Sequence, residues 1–255
     1  MNIIYYIKDR WFRGKGIVKA RKSKKDYIYE EHFKISGSSE FETVDLRSTS
    51  SRVRDQRDTQ FCVSFGVGSR LARLMREVSG QSFRIVSVLY NHYYTRLKHG
   101  WADENKGVSI KYYLDSLFKK GFVYEGAMSF KKPYLRKPMH EDDVLAQFVR
   151  ARYLKDYEYY LIQSKNVREA LKDGYTVIYG LELNNSFYGN TDGYTDNSKP
   201  NGYNHCMELE GFIDEERVHI SKNSWGIWRG DKGYYYIPYE YFENNAFDCY
   251  VVRKK

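Results

Sequence analysis

The chain has 255 residues, 42% hydrophobic and 29% charged, long enough to bury a sizeable core and too apolar for global disorder. Three cysteines, none in a CxxC pair, exclude a disulfide framework and point to a reducing, cytoplasmic-type compartment. The net charge of +9 describes solubility and non-specific association; no finger, knuckle or aromatic-basic repeat accompanies it, so nucleic acid is not the expected partner.

In chain order, Asn2-Ile3-Ile4-Tyr5-Tyr6-Ile7 is too short for a signal-peptide core and is ended by Lys8-Asp9-Arg10. No apolar run approaches the roughly 18 residues of a membrane-spanning helix, so no membrane partner is expected. Residues 1–44 are mixed and basic, densest at Arg21-Lys22-Ser23-Lys24-Lys25. Three readings stay open for this arm: a solvated arm with a short strand, a removable or autoinhibitory pro-segment, or a polyanion-binding arm. Ser36-Gly37-Ser38-Ser39 marks a linker, and Val44-Asp45-Leu46-Arg47 opens a new unit.

From Phe61, apolar residues recur at helical spacing through Val63, Val67, Leu71, Leu74, Met75 and Val78, with Gly80 as the stop. Gly66 and Gly68 interrupt this pattern at roughly 1 kcal/mol each relative to Ala, and close packing against a crossing element is their expected use. Further helices are expected at about 87–94, 109–120 and 166–172, with Ser164 placed to cap the last. Pro133 and Pro138 bracket an irregular connection. Strands are expected at about 157–163, 175–183, 205–212, 217–222, 233–237 and 249–253, with a long Asn/Gly/Tyr-rich loop over 184–204. Helices first and strands later is an α+β order.

The chemistry centres on Cys62. Its place at the head of a buried helix is one of the settings that lower a thiol pKa, although a small buried hydrophobe is the commoner fate of a free cysteine. His205 is delivered by the long loop to the start of a strand in Tyr203-Asn204-His205-Cys206-Met207. Strand neighbours face opposite ways, so Cys206, like Cys249, is assigned to the core. Asn223 then precedes Ser224-Trp225-Gly226-Ile227-Trp228; its side-chain oxygen can accept from the His205 ring and fix its direction, with Trp225 and Trp228 shielding the pair. No cofactor or metal is called for.

Three blocks carry a family resemblance: Val53-Arg54-Asp55-Gln56 through Cys62-Val63-Ser64-Phe65, Asn204-His205 through Gly211-Phe212, and Lys222-Asn223-Ser224-Trp225-Gly226 through Gly233-Tyr234. The chain resembles a papain-like cysteine peptidase of the C1 family, of the disulfide-free type seen in bacteria and large viruses. His205 and Asn223 follow Cys62 by about 140 and about 160 residues, near the roughly 130–150 given for such partners. The resemblance covers about residues 44–255. It implies a two-lobed fold, helical over about 45–150 and β-barrel-like over about 151–255, with a cleft between the lobes.

It also implies Cys62 as nucleophile, His205 as general acid/base, Asn223 as orienter, and Gln56 with the Cys62 N–H as oxyanion hole. Gly107 and Asn204 are implied as substrate-binding positions, and a protein or peptide as the partner. Where the family has Cys-Gly-Ser-Cys-Trp, this chain has Thr59-Gln60-Phe61-Cys62-Val63; the bulkier Gln60 and Phe61 are expected to narrow or reshape one side of the cleft. Peptide hydrolysis is the expected activity, with acyl transfer or deamidation by the same trio, or a non-catalytic binding role on the same fold, as the alternatives.

Overall fold

A computed structural model describes residues 16–21, 23, 26–35, 41–80 and 84–255. The apolar run at residues 2–7, the 36–39 linker, and Lys22, Lys24 and Lys25 of the basic run lie outside the described residues.

The helix expected at the nucleophile loop spans Cys62–Ser79 and ends where Gly80 takes φ +65° and donates its N–H to the Arg76 carbonyl. Shorter helices at Tyr90–His99, Ile110–Lys120 and His140–Tyr153 pack around it. Ser109 caps the second of these through the Tyr112 N–H, and Gly121 stops it at φ +89°. The 87–94 helix starts later than expected, at Tyr90.

The His140–Tyr153 helix is not among the expected elements. Its buried positions, Asp142, Ala146, Val149 and Tyr153, include only two large apolar residues, while Val144 and Phe148 face solvent. The apolar periodicity that reveals a helix is therefore diluted. The signal that survives is acidic: Glu141, Asp142 and Asp143 fill the first turn, with the Asp142 carboxylate accepting the Met139 N–H.

The other layer is an antiparallel sheet built from β1 (Thr43–Asp45), β2 (Tyr157–Leu161), β3 (Val177–Leu183), β4 (Tyr203–Ile213), β5 (Val218–Lys222), β6 (Tyr234–Pro238) and β7 (Ala246–Lys254). The strand order is β2-β7-β3-β4-β5-β6, and β1 pairs with the far end of β4, beyond the stretch that β3 covers. A short helix, Tyr239–Asn245, bridges β6 to β7 and was not expected either. The α+β class stands, with helices concentrated before β2 and strands after it.

The 62–79 helix joins the two layers. Val63, Val67, Leu71 and Met75 share one buried cluster with Ile178 of β3, Cys206 of β4, and Tyr250 and Val252 of β7. The crossing is closest at Gly66, where an added Cβ would meet Cys206 Sγ at 3.2 Å and the Met207 carbonyl oxygen at 3.6 Å. Gly68 differs from the expectation: a Cβ there would meet only Val88 Cγ1, at 3.9 Å, so no element crosses it. Part of the N-terminal arm also belongs to the body. Tyr29 is fully buried in the core that holds Tyr160, Val167 and Val251.

Candidate active site

Two candidate residues lie close in sequence to the Gly66 crossing. Cys62 is the first residue of the helix, and His205 precedes Cys206 on β4. Sequence blocks 53–56 and 222–226 are then tied together. The Gln56 N–H donates to the Ser224 carbonyl at 2.8 Å, the Gly226 N–H to the Arg54 carbonyl at 3.1 Å, and the Ser224 hydroxyl to Gln56 Oε1 at 2.6 Å. The Asn223 N–H reaches the Gly233 carbonyl at 2.9 Å, which folds the Trp/Gly turn back on itself.

Within this frame, His205 Nε2 lies 2.8 Å from Asn223 Oδ1. An amide oxygen only accepts, so Nε2 carries the proton in this contact. Asn223 Oδ1 also accepts the Ser224 N–H at 2.6 Å, which holds the amide in one orientation. The Trp225 ring lies 4.7 Å from the His205 ring and is itself buried, so it covers the pair. Trp228 does not shield: it is 78% exposed, and its ring edge passes over Gly226. Gly226 takes φ +79°, turning the chain outward before Trp228 is reached.

Cys62 is fully buried, and burial pushes its thiol up to about 12. Backbone groups of Cys206, Val63 and Cys62 itself act in the lowering direction but are outweighed. The lowered thiol pKa that the helix head favours is therefore not what this state presents. Main chain from the N-terminal arm covers the sulfur. A Cβ on Gly16 would come within 2.2 Å of Cys62 Sγ, and one on Gly107 within 2.3 Å of the Gly16 carbonyl. Val108 donates its N–H to Gly16 O and accepts from the Val18 N–H, both at 3.2 Å, in a parallel bridge between Ile17 and Val108. Asn204 Oδ1 takes the Ile17 N–H at 3.3 Å. Both weaker sequence candidates, Gly107 and Asn204, thus touch the segment lying over Cys62.

Phe61 corrects another expectation. It does not project into the cleft. Its ring is fully buried in the helical layer, 3.8 Å from the His92 ring and 6.3 Å from that of Phe130. His92 is buried as well, with Nδ1 2.8 Å from the Ser64 hydroxyl, and burial beside Arg96 holds it neutral. Gln60 stays near the surface, its N–H bonded to Asn105 Oδ1 at 3.0 Å. Gln56 Nε2 donates to the Thr59 carbonyl at 2.7 Å, which leaves its second N–H for another acceptor. Sequence reasoning missed Gly16 and Ile17; a lone Gly-Ile-Val in a basic arm carries no motif.

No family model matches the sequence. Among curated proteins, the chain is 25% identical over 184 residues to an uncharacterized peptidase C1-like protein of Acanthamoeba polyphaga mimivirus. That alignment takes in 66% of this chain and 58% of the relative, so the chain spans under two thirds of the relative's length. Among solved structures, xylellain, a cysteine protease from Xylella fastidiosa, superposes with a TM-score of 0.83 at 23% identity, covering 96% of this chain and 97% of that one.

The fold is papain-like. Two further solved structures share the fold at lower TM-scores. Digestive procathepsin L 3 of the Tenebrio molitor larval midgut has a TM-score of 0.67 at 18% identity, over 96% of this chain and 78% of its own. The bromelain protease of Ananas comosus has 0.65 at 15%, over 84% and 99%. As in the sequence reading, the papain-like chain carries no disulfide among its described residues: Cys62, Cys206 and Cys249 are free and buried. No helix among those residues is long and apolar enough to cross a membrane.

Proposed function

We propose that this chain is a cysteine peptidase that hydrolyses peptide bonds through Cys62, His205 and Asn223. The observation that carries the reading is the 2.8 Å contact of His205 with Asn223, under Trp225, beside a helix head whose cysteine lies against another stretch of main chain. A site that accommodates backbone directly on a sulfur is shaped to receive a peptide carbonyl there.

In the proposed cycle the Cys62 sulfur attacks the carbonyl carbon and the proton of the thiol resides on His205. The oxyanion is held by the free Nε2–H of Gln56 and the Cys62 N–H. His205 then gives its proton to the departing amine as the C–N bond breaks, leaving a thioester on Cys62. Water, deprotonated by His205, adds to the thioester; the C–S bond breaks, and the acid product leaves. Asn223 keeps the imidazole aimed throughout without adding a charge. An orienting amide suffices where the thiolate itself supplies the negative partner of the imidazolium.

The test is labelling by an epoxide-type thiol probe together with product analysis. Wild-type protein freed of its cleft segment is expected to label on one cysteine, and Cys62→Ala to lose the label while keeping its fold by circular dichroism. Undiminished labelling of Cys62→Ala would refute the nucleophile assignment. Incubation with a peptide and a competing amine should give the free acid as main product; predominance of the amide would make the enzyme a transferase.

A further inference from the structure

The 140–153 helix is apolar on the side that it turns away from the core. Its buried positions are Asp142, Ala146, Val149 and Tyr153. Val144, Phe148 and Ala151 recur at i, i+4 and i+7 on the opposite side, and all three face solvent, Phe148 at 72% exposure. Single exposed apolar residues are ordinary on a protein surface, but three aligned along one helix face make a stripe. From its first residue to its last the stripe runs roughly 10 Å, about two helical turns.

The stripe runs into a groove, and Ala151 belongs to both. The groove has a volume of about 460 Å³, enough for a bulky side chain. Its apolar lining includes Phe118, Leu154 and Tyr159. Its charged lining is three cations, Arg150, Lys155 and Lys255, against one carboxylate, Glu158. Lys255 lies 3.7 Å from Glu158, with both side chains partly exposed. Arg150 gives its Nε–H to the Phe118 carbonyl, and among the described residues neither Arg150 nor Lys155 forms an ion pair. Arg152, exposed one turn beyond Phe148, adds a further positive charge beside the stripe.

We propose that the stripe and the groove form one docking surface for an acidic partner protein that presents an amphipathic helix. The partner's apolar side chains lie along Val144, Phe148 and Ala151, and one bulky side chain enters the groove. Its carboxylates meet Arg150, Lys155 and Lys255. A ridge at helical spacing is complementary to a second helix laid along it. Charge and shape decide the occupant. A second copy of this chain, at net charge +9 and with the same cations at the contact, would set like charges against each other. A membrane surface suits a flat or convex face, whereas this stripe ends in a concave groove. The groove shares no lining residue with the proposed active site, so the inference goes beyond the peptidase reading and does not depend on it.

The experiment uses the full chain carrying Cys62→Ala, so that no probe is cut. The probe is a fluorescein-labelled peptide of roughly 15 residues, the length at which an isolated helix begins to hold. It has Leu or Phe at i, i+3, i+4 and i+7 and Glu on its other face; a second peptide has Lys for each Glu. Binding is read by fluorescence anisotropy. The Glu peptide is expected to bind saturably, about tenfold or more tighter than the Lys peptide, and to weaken as salt is raised. Phe148→Ser and Lys155→Glu, both at exposed positions, should each weaken it by about tenfold or more with the melting temperature unchanged.

Equal binding of the two peptides, or binding of neither, would overturn the proposal, and so would full affinity in Phe148→Ser. A loss of several degrees in the melting temperature of Phe148→Ser would show the ring to be packed within the fold rather than offered to a partner, and would overturn it as well. Two further measurements identify the rival occupants. A dimer in sedimentation that dissociates in Phe148→Ser would assign the surface to a second copy of this chain. Co-pelleting with phosphatidylserine vesicles that is lost in Phe148→Ser, without peptide binding, would assign it to a membrane. Either result would displace the acidic helix.

Discussion

Gln56 has both ends of its amide engaged, Oε1 by Ser224 and one Nε2–H by the Thr59 carbonyl, which leaves a single N–H for an oxyanion. Gln56→Ala therefore does two things. It removes one donor of the proposed oxyanion hole, worth a 10²–10³-fold loss of kcat by the scale of such deletions. It also strands a buried hydroxyl and a buried carbonyl, at about 1–3 kcal/mol. The expected outcome is a protein of reduced urea midpoint whose kcat falls far more than its KM rises; a kcat within tenfold of wild type would remove Gln56 from the oxyanion hole.

His219 gives a pH signature instead. It is fully buried, 4.6 Å from the rings of both Tyr239 and Phe242, and burial, with Arg168 adding to it and Asp214 opposing, holds its pKa down to about 3. The unfolded chain gains a proton below about pH 6.5 that the folded chain refuses, so stability is full above that pH and falls with acidification at about 1.4 kcal/mol per unit. His219→Phe should flatten this slope, changing its stability relative to wild type by about 2 kcal/mol between pH 7 and pH 5 in urea titrations. Cys62, His205 and Asn223 were legible as residue types in order. The direction of Phe61 was not, because a bulky residue beside a nucleophile reads the same whether it faces the cleft or, as here, His92.

At the scale of elements, the two glycines of the 62–79 helix look equivalent in sequence and are not. Gly66→Val would put side-chain atoms into Cys206 Sγ and the Met207 backbone, and the helix would have to lift from β4. A cost of about 1–3 kcal/mol is expected from overpacking, together with a loss of probe labelling, because the proposed site pairs Cys62 at the head of this helix with His205, the neighbour of Cys206 on β4. Gly68→Ala meets only Val88 at ordinary contact distance and should raise stability by up to about 1 kcal/mol by helix propensity, with labelling unchanged. If both variants behave alike in thermal melts and labelling, the Gly66 crossing does not set the site.

Elements with strong local signals were legible in this way. The 110–120 helix had a capping serine and a terminal glycine, and the strands ran in Tyr- and Val-rich stretches between turn residues. Two kinds of element were not. The 140–153 helix buries too few apolar residues to show a period, and the 16–20 segment over Cys62 owes its place mainly to backbone pairing, with Ile17 its one buried side chain.

For the whole molecule, the question is what keeps the helical layer and the sheet in one register behind the site. A buried polar cluster does much of it. Glu210 of β4 lies 3.5 Å from Arg73 of the 62–79 helix and 3.8 Å from Lys222 of β5, and accepts from the hydroxyls of Ser50 and Tyr234. Lys222 Nζ reaches the Ser50 hydroxyl at 2.7 Å and that of Ser69 at 2.9 Å, while Arg73 donates to the Leu46 carbonyl at 3.0 Å. Five pieces of chain thus meet at one carboxylate, and Lys222 directly precedes Asn223 in the chain. Burial raises the Glu210 pKa to about 7 and lowers that of Lys222, each opposed by the other's charge, so the cluster is stable only as a set. Removing one member should therefore cost more than removing a matched pair. Glu210→Leu and Lys222→Met are each expected to lose about 3–5 kcal/mol in urea unfolding, because each leaves an uncompensated buried partner. The double variant should lose clearly less than the sum, by a coupling of at least about 1 kcal/mol, since both charges leave together. Losses that add within about 0.5 kcal/mol would mean that the two charges act independently and that apolar packing alone holds the layers in register.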